Sequence, residues 1–339
     1  MKPTIYNVLV FVISMIAIAS CVKEENFDNT PEGNFEALWQ IIDQHYCFLD
    51  YKKEEIGLDW NEVHSRYSKR ISPKMNNIQL QEVLTEMLAE LRDGHVNLYT
   101  SADVSRYWAW HEDYPRHWTQ ELRDKYLGTD YKIAAGIRYR ILEDNVGLLV
   151  YESFGTGVGD GNLDDVMYYL RSCNGLIIDV RGNTGGQLTY AELLSERLTN
   201  EKVLAGYTQY KTGTGHNDFS QPKAEYIEPS TGVRWQKPVV VIQNRECYSA
   251  CNIFLRNASA CKRVTRLGDR SGGGSGMPFS SELPNGWSVR FSASPSLDAK
   301  MQHIEFGIEP DIICYLDSAD IARGVDTLIE RARQILNKK

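Results

Sequence analysis

The chain has 339 residues, 42% hydrophobic and 24% charged, with a formal net charge of −8. This is the composition of a globular protein with one large core or two domains, not of a fibrous or disordered chain. The acidic balance, with no long basic run beyond the N-terminus, argues against nucleic acid as a partner.

Residues 1–20 carry Lys2, an apolar stretch from Val8 to Ala19 and small residues before Cys21. They read as a secretory signal that is too short for a confident membrane span. The ending "IASC" resembles a bacterial lipobox, so Cys21 is expected to become the lipidated first residue, with 21–33 as a polar tether. The alternative is an ordinary signal peptide in which Cys21 is incidental. Acyl chains on Cys21 would hold the protein on a membrane, in the bacterial cell envelope, at the periplasmic or outer face of the outer membrane. The six other cysteines are scattered through a chain able to bury its own core, so buried thiols are expected rather than a disulfide scaffold.

From Asn34 the pattern is helical. "NFEALWQIIDQHYCFL" repeats apolar residues on one face, "DWNEVHSRYSKRI" follows an Asp59 cap, and "LQEVLTEMLAELRDGH" ends at Asp93-Gly94. "HVNLYT" then reads as a short strand, which gives an N-terminal helical subdomain over 34–100. Residues 101–135 form an aromatic-rich connector ("RYWAWHEDYPRHW") that either packs on the core or lines a groove.

From Gly136 onward strands and helices alternate. "NVGLLVYESF", "NGLIIDVRGN", "KPVVVIQN" and "RVTRLGD" read as strands; "LDDVMYYLRS", "LTYAELLSERLTN" and "SACNIFLRNAS" read as helices. The unbroken apolar runs fit α/β strands covered on both faces. A β-ribbon ("GWSVRFSAS") and one terminal helix ("ADIARGVDTLIERARQIL") close the 136–339 core.

Two strand ends carry unusual residues. "DVRGNTGG" places Gly182, Gly185 and Gly186 where exposed N–H groups could face an anion, or where the chain only turns tightly. It has neither phosphate-loop nor Rossmann spacing. One strand later, "NRECYSACNIF" puts Ser249 at the start of a helix, as a cap or as a nucleophile beside a favourable dipole. A nucleophile needs a base. Among seven histidines, His95 stands out because it follows a helix break and opens a strand. A carboxylate of "DAKMQHIEFGIEPDI" could orient that base. The spacing of Asp298, His303 and Glu305 matches no strong metal-ligand pattern.

"LRDGH", "GLIIDVRGNTGG", "NRECYSACNIF", "LGDRSGGG" and "GIEPDI" occur together in this order. The series resembles the C-terminal processing and tricorn-core (tail-specific) family of serine peptidases. The resemblance implies a crotonase-like (ClpP/crotonase) α/β core and no metal or organic cofactor. It implies Ser249 as nucleophile and oxyanion donors at Ala250 and at Gly185 or Gly186. A Ser–Lys dyad is not expected, because Gly274 stands where one branch has its lysine. The tricorn-like branch instead implies His95 as base with Glu305 as its partner, although Gly94 replaces a serine of that pattern. Fewer residues separate His95 from Val146 than a PDZ domain needs. Substrate choice is therefore expected from the cleft, the aromatic connector and the 201–235 segment. The implied activity is hydrolysis of peptides or unfolded proteins. A catalytically inactive peptide- or glycan-binding lipoprotein is the alternative. The oligomeric state is not legible.

Overall fold

The structure is a computed structural model that describes residues 27–338; the signal segment and Cys21 lie outside the described residues. Four helices open the chain. Pro31–His45 (α1) starts after Thr30, whose hydroxyl accepts from the Gly33 N–H, with proline at the position where its missing N–H costs nothing. Leu49–Ile56 (α2) ends at Gly57 in the left-handed region, Trp60–Tyr67 (α3) is capped by Asp59, and Asn77–Ala89 (α4) has an Asn76/Gln79 capping box. Asn97–Tyr99 (β1) follows.

The connector contains Ala109–Glu112 (α5) and Gln120–Leu127 (α6). Lys132–Ala134 (β2), Ile137–Ile141 (β3) and Gly147–Tyr151 (β4) form an antiparallel run. The expected boundary at 135/136 cuts through the β2–β3 hairpin. Next come Asp160–Leu170 (α7), Leu176–Asp179 (β5), Leu188–Glu196 (α8), Val203–Thr208 (β6), Lys223–Ile227 (β7) and Val239–Gln243 (β8). Ala250–Ala260 (α9), Val264–Gly268 (β9), Gly276–Glu282 (β10), Ser288–Asp298 (β11) and Ile312–Ile313 (β12) complete the sheets. The expected single terminal helix is two, Ser318–Ala322 (α10) and Thr327–Leu336 (α11). Gly324, with φ 69°, breaks the run, and Asp326 caps the second helix.

A seven-stranded sheet runs β12-β9-β8-β5-β4-β3-β2, parallel from β4 to β12. Every residue of β5 and β8 is buried. One face carries Ile178 and Val241 against Leu163 and Met167 of α7, Leu194 of α8 and Phe254 of α9. The other carries Ile177 and Val240 against Leu127 of α6 and Leu328 and Ala332 of α11. Successive strand residues thus serve opposite cores, which is why the strands read as unbroken apolar runs.

The second sheet runs β1-β11-β6-β7, with β10 also paired to β11. It joins the N-terminal helices to the late part of the chain, because Leu38, Leu84 and Leu88 share one core with Val289 and Phe291. The 201–235 segment contributes the β6–β7 hairpin to this sheet. Its loop rests on the N-terminal helices, where the ring nitrogens of His216 lie 2.9 Å from Asp43 and 3.0 Å from Asp50. Five of the described cysteines are buried and unpaired; Cys314 is half-buried and also free.

Candidate active site

Ser249 leaves β8 through a turn and immediately precedes α9. Its backbone, at φ 56° and ψ −122°, is strained for a residue with a side chain. Its side chain makes no helix-capping hydrogen bond. The Oγ lies 2.9 Å from His95 Nε2 instead. The turn is pinned from below: Ser249 N–H donates to the Gly273 carbonyl at 2.9 Å, and Tyr248 N–H donates to the Asn183 carbonyl at 3.2 Å.

His95 is buried, and burial, followed by Arg290 and Lys52, holds its pKa below the usual 6.5 against the opposing pull of Asp93. Its Nδ1 has no hydrogen-bond partner among the described residues. Asp93 is a residue that the sequence did not single out beyond its place in the helix break. Its carboxylate accepts from the His95 N–H at 2.7 Å, Tyr46 OH at 2.9 Å, Ser292 Oγ at 2.9 Å and Tyr248 OH at 3.2 Å. Burial pushes Asp93 up, but Lys52, His95 and these donors together hold it low. Four donors around one carboxylate stabilise the anion.

Glu305 departs from its expected place beside the imidazole, since no hydrogen bond joins it to His95. Its Oε2 accepts from Ser275 N–H at 2.8 Å and Ser275 Oγ at 3.2 Å, and Oε1 lies 3.5 Å from Lys52 Nζ. Burial, then the charge of Asp93, pushes its pKa up to about 8, against Lys52 and the Ser275 bonds.

The glycine loop approaches Ser249 closely. A Cβ on Gly185 would lie 2.7 Å from the Tyr248 carbonyl and 2.9 Å from Ala250 N, so only glycine fits. The N–H of Gly185, however, donates to Asn183 Oδ1 at 2.9 Å. The expectation that Gly185 supplies an oxyanion donor is corrected on this point, because that donor is already used. Among the described residues the N–H groups of Gly186 and Ala250 have no partner. Arg181, before the loop, is fully buried between Asp179 at 2.7 Å and Asp326 at 2.9 Å, which anchors the loop to the last helix.

Two glycines explain departures from the family pattern. Gly274 has φ 72°, and a side chain there would run into the Tyr248 ring, so no lysine can stand at that position. At Gly94 the space is taken by Trp110 of the connector, which stacks on Tyr248 with ring centroids 4.0 Å apart. The connector therefore packs onto the core here. Its Tyr107, Trp110 and Tyr114 also line a cavity of about 570 Å³ bordered by Tyr248 and Glu305.

The sequence profile described as peptidase family S41 matches residues 145–314, half of the chain, and that of the tricorn protease C1 domain matches residues 27–89. A solved structure of a candidate peptidase from Parabacteroides merdae is 50% identical, with 92% of this chain and 98% of that one covered and a TM-score of 0.88. The chain belongs to peptidase family S41. As an S41 member it is a serine peptidase, a hydrolase with a mixed α/β fold. The structure of mature CPAF complexed with lactacystin superposes with a TM-score of 0.67 at 12% identity, covering 91% of this S41 chain and 97% of that one. The tricorn protease gives 0.51 at 16% identity, covering 91% and 36%. At those identities the likeness concerns the fold alone. No relative was found among curated protein sequences.

Proposed function

We propose that the chain is an envelope-anchored serine peptidase that hydrolyses peptides or unfolded proteins through an acyl-enzyme on Ser249. The observation that carries this reading is the 2.9 Å approach of His95 Nε2 to a Ser249 Oγ that caps no helix. A serine kept in a strained backbone and withheld from capping is consistent with an attacking group. In this mechanism neutral His95 takes the Oγ proton through Nε2 as Oγ attacks the carbonyl carbon. The imidazolium then gives that proton to the leaving amine. Water, deprotonated by the same nitrogen, releases the acyl group.

The unpartnered N–H groups of Ala250 and Gly186 are the candidate oxyanion donors, and the dipole at the start of α9 favours the same negative charge. Asp93 fixes the backbone of His95 and supplies negative charge for the imidazolium. Glu305 acts behind this pair, not in direct contact with the imidazole. No cofactor enters the scheme. The proposed architecture is a crotonase-like core preceded by an N-terminal helical subdomain, and Cys21 is the proposed lipid attachment site at the outer membrane.

The test uses the soluble form without residues 1–21, incubated with unfolded proteins beside Ser249→Ala and His95→Ala. Loss of cleavage in both supports the Ser–His mechanism. Retained cleavage in His95→Ala would assign the base elsewhere, and a wild type that cuts nothing would favour a binding protein. Release of a Cys21→Ala chain from the membrane fraction tests the anchor.

A further inference from the structure

Lys52 lies on α2, in the run "YKKEEI", which reads as a solvated charged stretch. Its side chain is nevertheless 0% exposed. A buried ammonium is costly unless charges and acceptors around it compensate. The Nζ donates to the Leu91 carbonyl at 2.5 Å and stands 3.5 Å from Glu305 Oε1. The rings of Tyr46, Phe48 and Phe306 surround it, with centroids 5.2–5.9 Å away. Leu91 is two residues before Asp93, so one ammonium ties α2 to the turn that carries His95 and to the loop that carries Glu305.

We propose that Lys52 is a positioning residue for the Ser249–His95 pair: its buried ammonium, bound to the Leu91 carbonyl and 3.5 Å from Glu305, is the cation that offsets the Asp93 carboxylate behind the imidazole. This rests on the serine-peptidase reading above. Two carboxylates sharing one buried region cannot both ionise freely. Asp93, with four donors, takes the negative charge, and Glu305 keeps its proton in the neutral range. Lys52 then balances Asp93. The groups acting on His95 are Asp93 on its own turn, Lys52 of α2, Arg290 of β11 and the Tyr248 ring before the nucleophile. Those acting around Lys52 are Asp93, Glu305, Tyr46 and Cys47. Without the ammonium, Asp93 is still held ionised by its four donors but no longer offset by that cation, so the imidazolium gains stability and the base protonates at higher pH.

The experiment follows the rate at which a fluorophosphonate reagent labels Ser249 in the full chain, from about pH 5 to 9. This needs no knowledge of the natural substrate. In Lys52→Met the acid limb of labelling is expected to move up by about one pH unit. A purely structural role would lower the rate at every pH and leave the limb in place, and that result would overturn the proposal. If Lys52→Met does not fold, Glu305→Gln is compared with Lys52→Met/Glu305→Gln, which removes both partners of the pair; the same upward shift is expected, and an unmoved limb overturns the proposal. A wild type whose Ser249 is not labelled sinks the serine-peptidase reading and this inference with it. A labelled wild type with an unmoved limb in the variants sinks the role of Lys52 alone.

Discussion

Trp110 occupies the space that a side chain at Gly94 would need. A Cβ on Gly94 would lie 2.7 Å from the indole nitrogen and 3.0 Å from the Tyr248 hydroxyl. The indole stacks on the Tyr248 ring, so it cannot withdraw without disturbing the residue just before Ser249. The glycine is thus matched to its neighbours and is not simply a lost hydroxyl. Gly94→Ser is expected to cost about 1–3 kcal/mol of stability through overpacking and to slow labelling of Ser249. Thermal unfolding of Gly94→Ser, with and without Trp110→Ala, checks this: the second change should recover part of the stability. A Gly94→Ser chain as stable as wild type and faster would contradict the assignment.

Glu305 gives a stability prediction with a definite sign. Its proton affinity is raised from an ordinary 4.5 to about 8 in the folded protein. Between those values the native state holds a proton that the unfolded chain releases. The contribution to stability is therefore full below about 4.5 and is lost as pH rises through about 8. His95 contributes the opposite slope, because its folded pKa is lowered; that stability is present above the ordinary 6.5 and lost as pH falls through the lower folded value. Glu305→Gln keeps the histidine slope and removes the glutamate one. Denaturant unfolding at a series of pH values should show the wild type losing stability relative to Glu305→Gln as pH rises. Parallel curves would mean that Glu305 ionises normally.

Asn183 links the glycine loop to β4. Its Oδ1 accepts from Gly185 N–H and its Nδ2 donates to the Tyr151 carbonyl, both at 2.9 Å. Asn183→Ala leaves both groups buried without partners, at a cost of about 1–3 kcal/mol each. The loop beside Ser249 should then shift, and kcat should fall by about 10²-fold if an oxyanion donor moves with it. Steady-state rates beside a melting curve separate the two effects; unchanged kcat in a destabilised variant would remove the loop from catalysis.

Asp93→Asn tests the charge behind the base. An amide cannot serve four donors as a carboxylate does, and the imidazolium loses its nearby anion. The rate is expected to fall by about 10²-fold, and the acid limb should move to lower pH, because Asp93 raises the proton affinity of His95. The direction is opposite to that expected for Lys52→Met. A shift to higher pH would show that Asp93 is not the compensating anion.

Ser249 and His95 were legible because each stands where regular structure breaks: one between an apolar strand and a helix, the other after Asp93-Gly94. The alternating strands and helices were legible for the same reason, as buried parallel strands leave unbroken apolar runs. Lys52 was not legible, since nothing in "YKKEEI" distinguishes a lysine facing a buried carboxylate from one facing water. The β2–β3 hairpin was missed because Lys132, Arg138 and Arg140 dilute its apolar signal. Which glycine keeps a free N–H depends on the side-chain direction of Asn183, and no spacing rule encodes that. Glu305 was found in the sequence, but its partners Ser275 and Lys52 lie 30 and 253 positions earlier in the chain.

The arrangement of charges has a consequence for how such a chain comes into being. Ser249 and His95 are 154 residues apart, and Lys52 waits 253 residues for Glu305. Arg181 beside the glycine loop waits 145 residues for Asp326. A growing polypeptide released residue by residue cannot balance its buried lysine until Glu305 has been made, or anchor that loop until Asp326 has. The charges around Ser249, His95 and the glycine loop therefore come together only after Glu305 and Asp326 have been added.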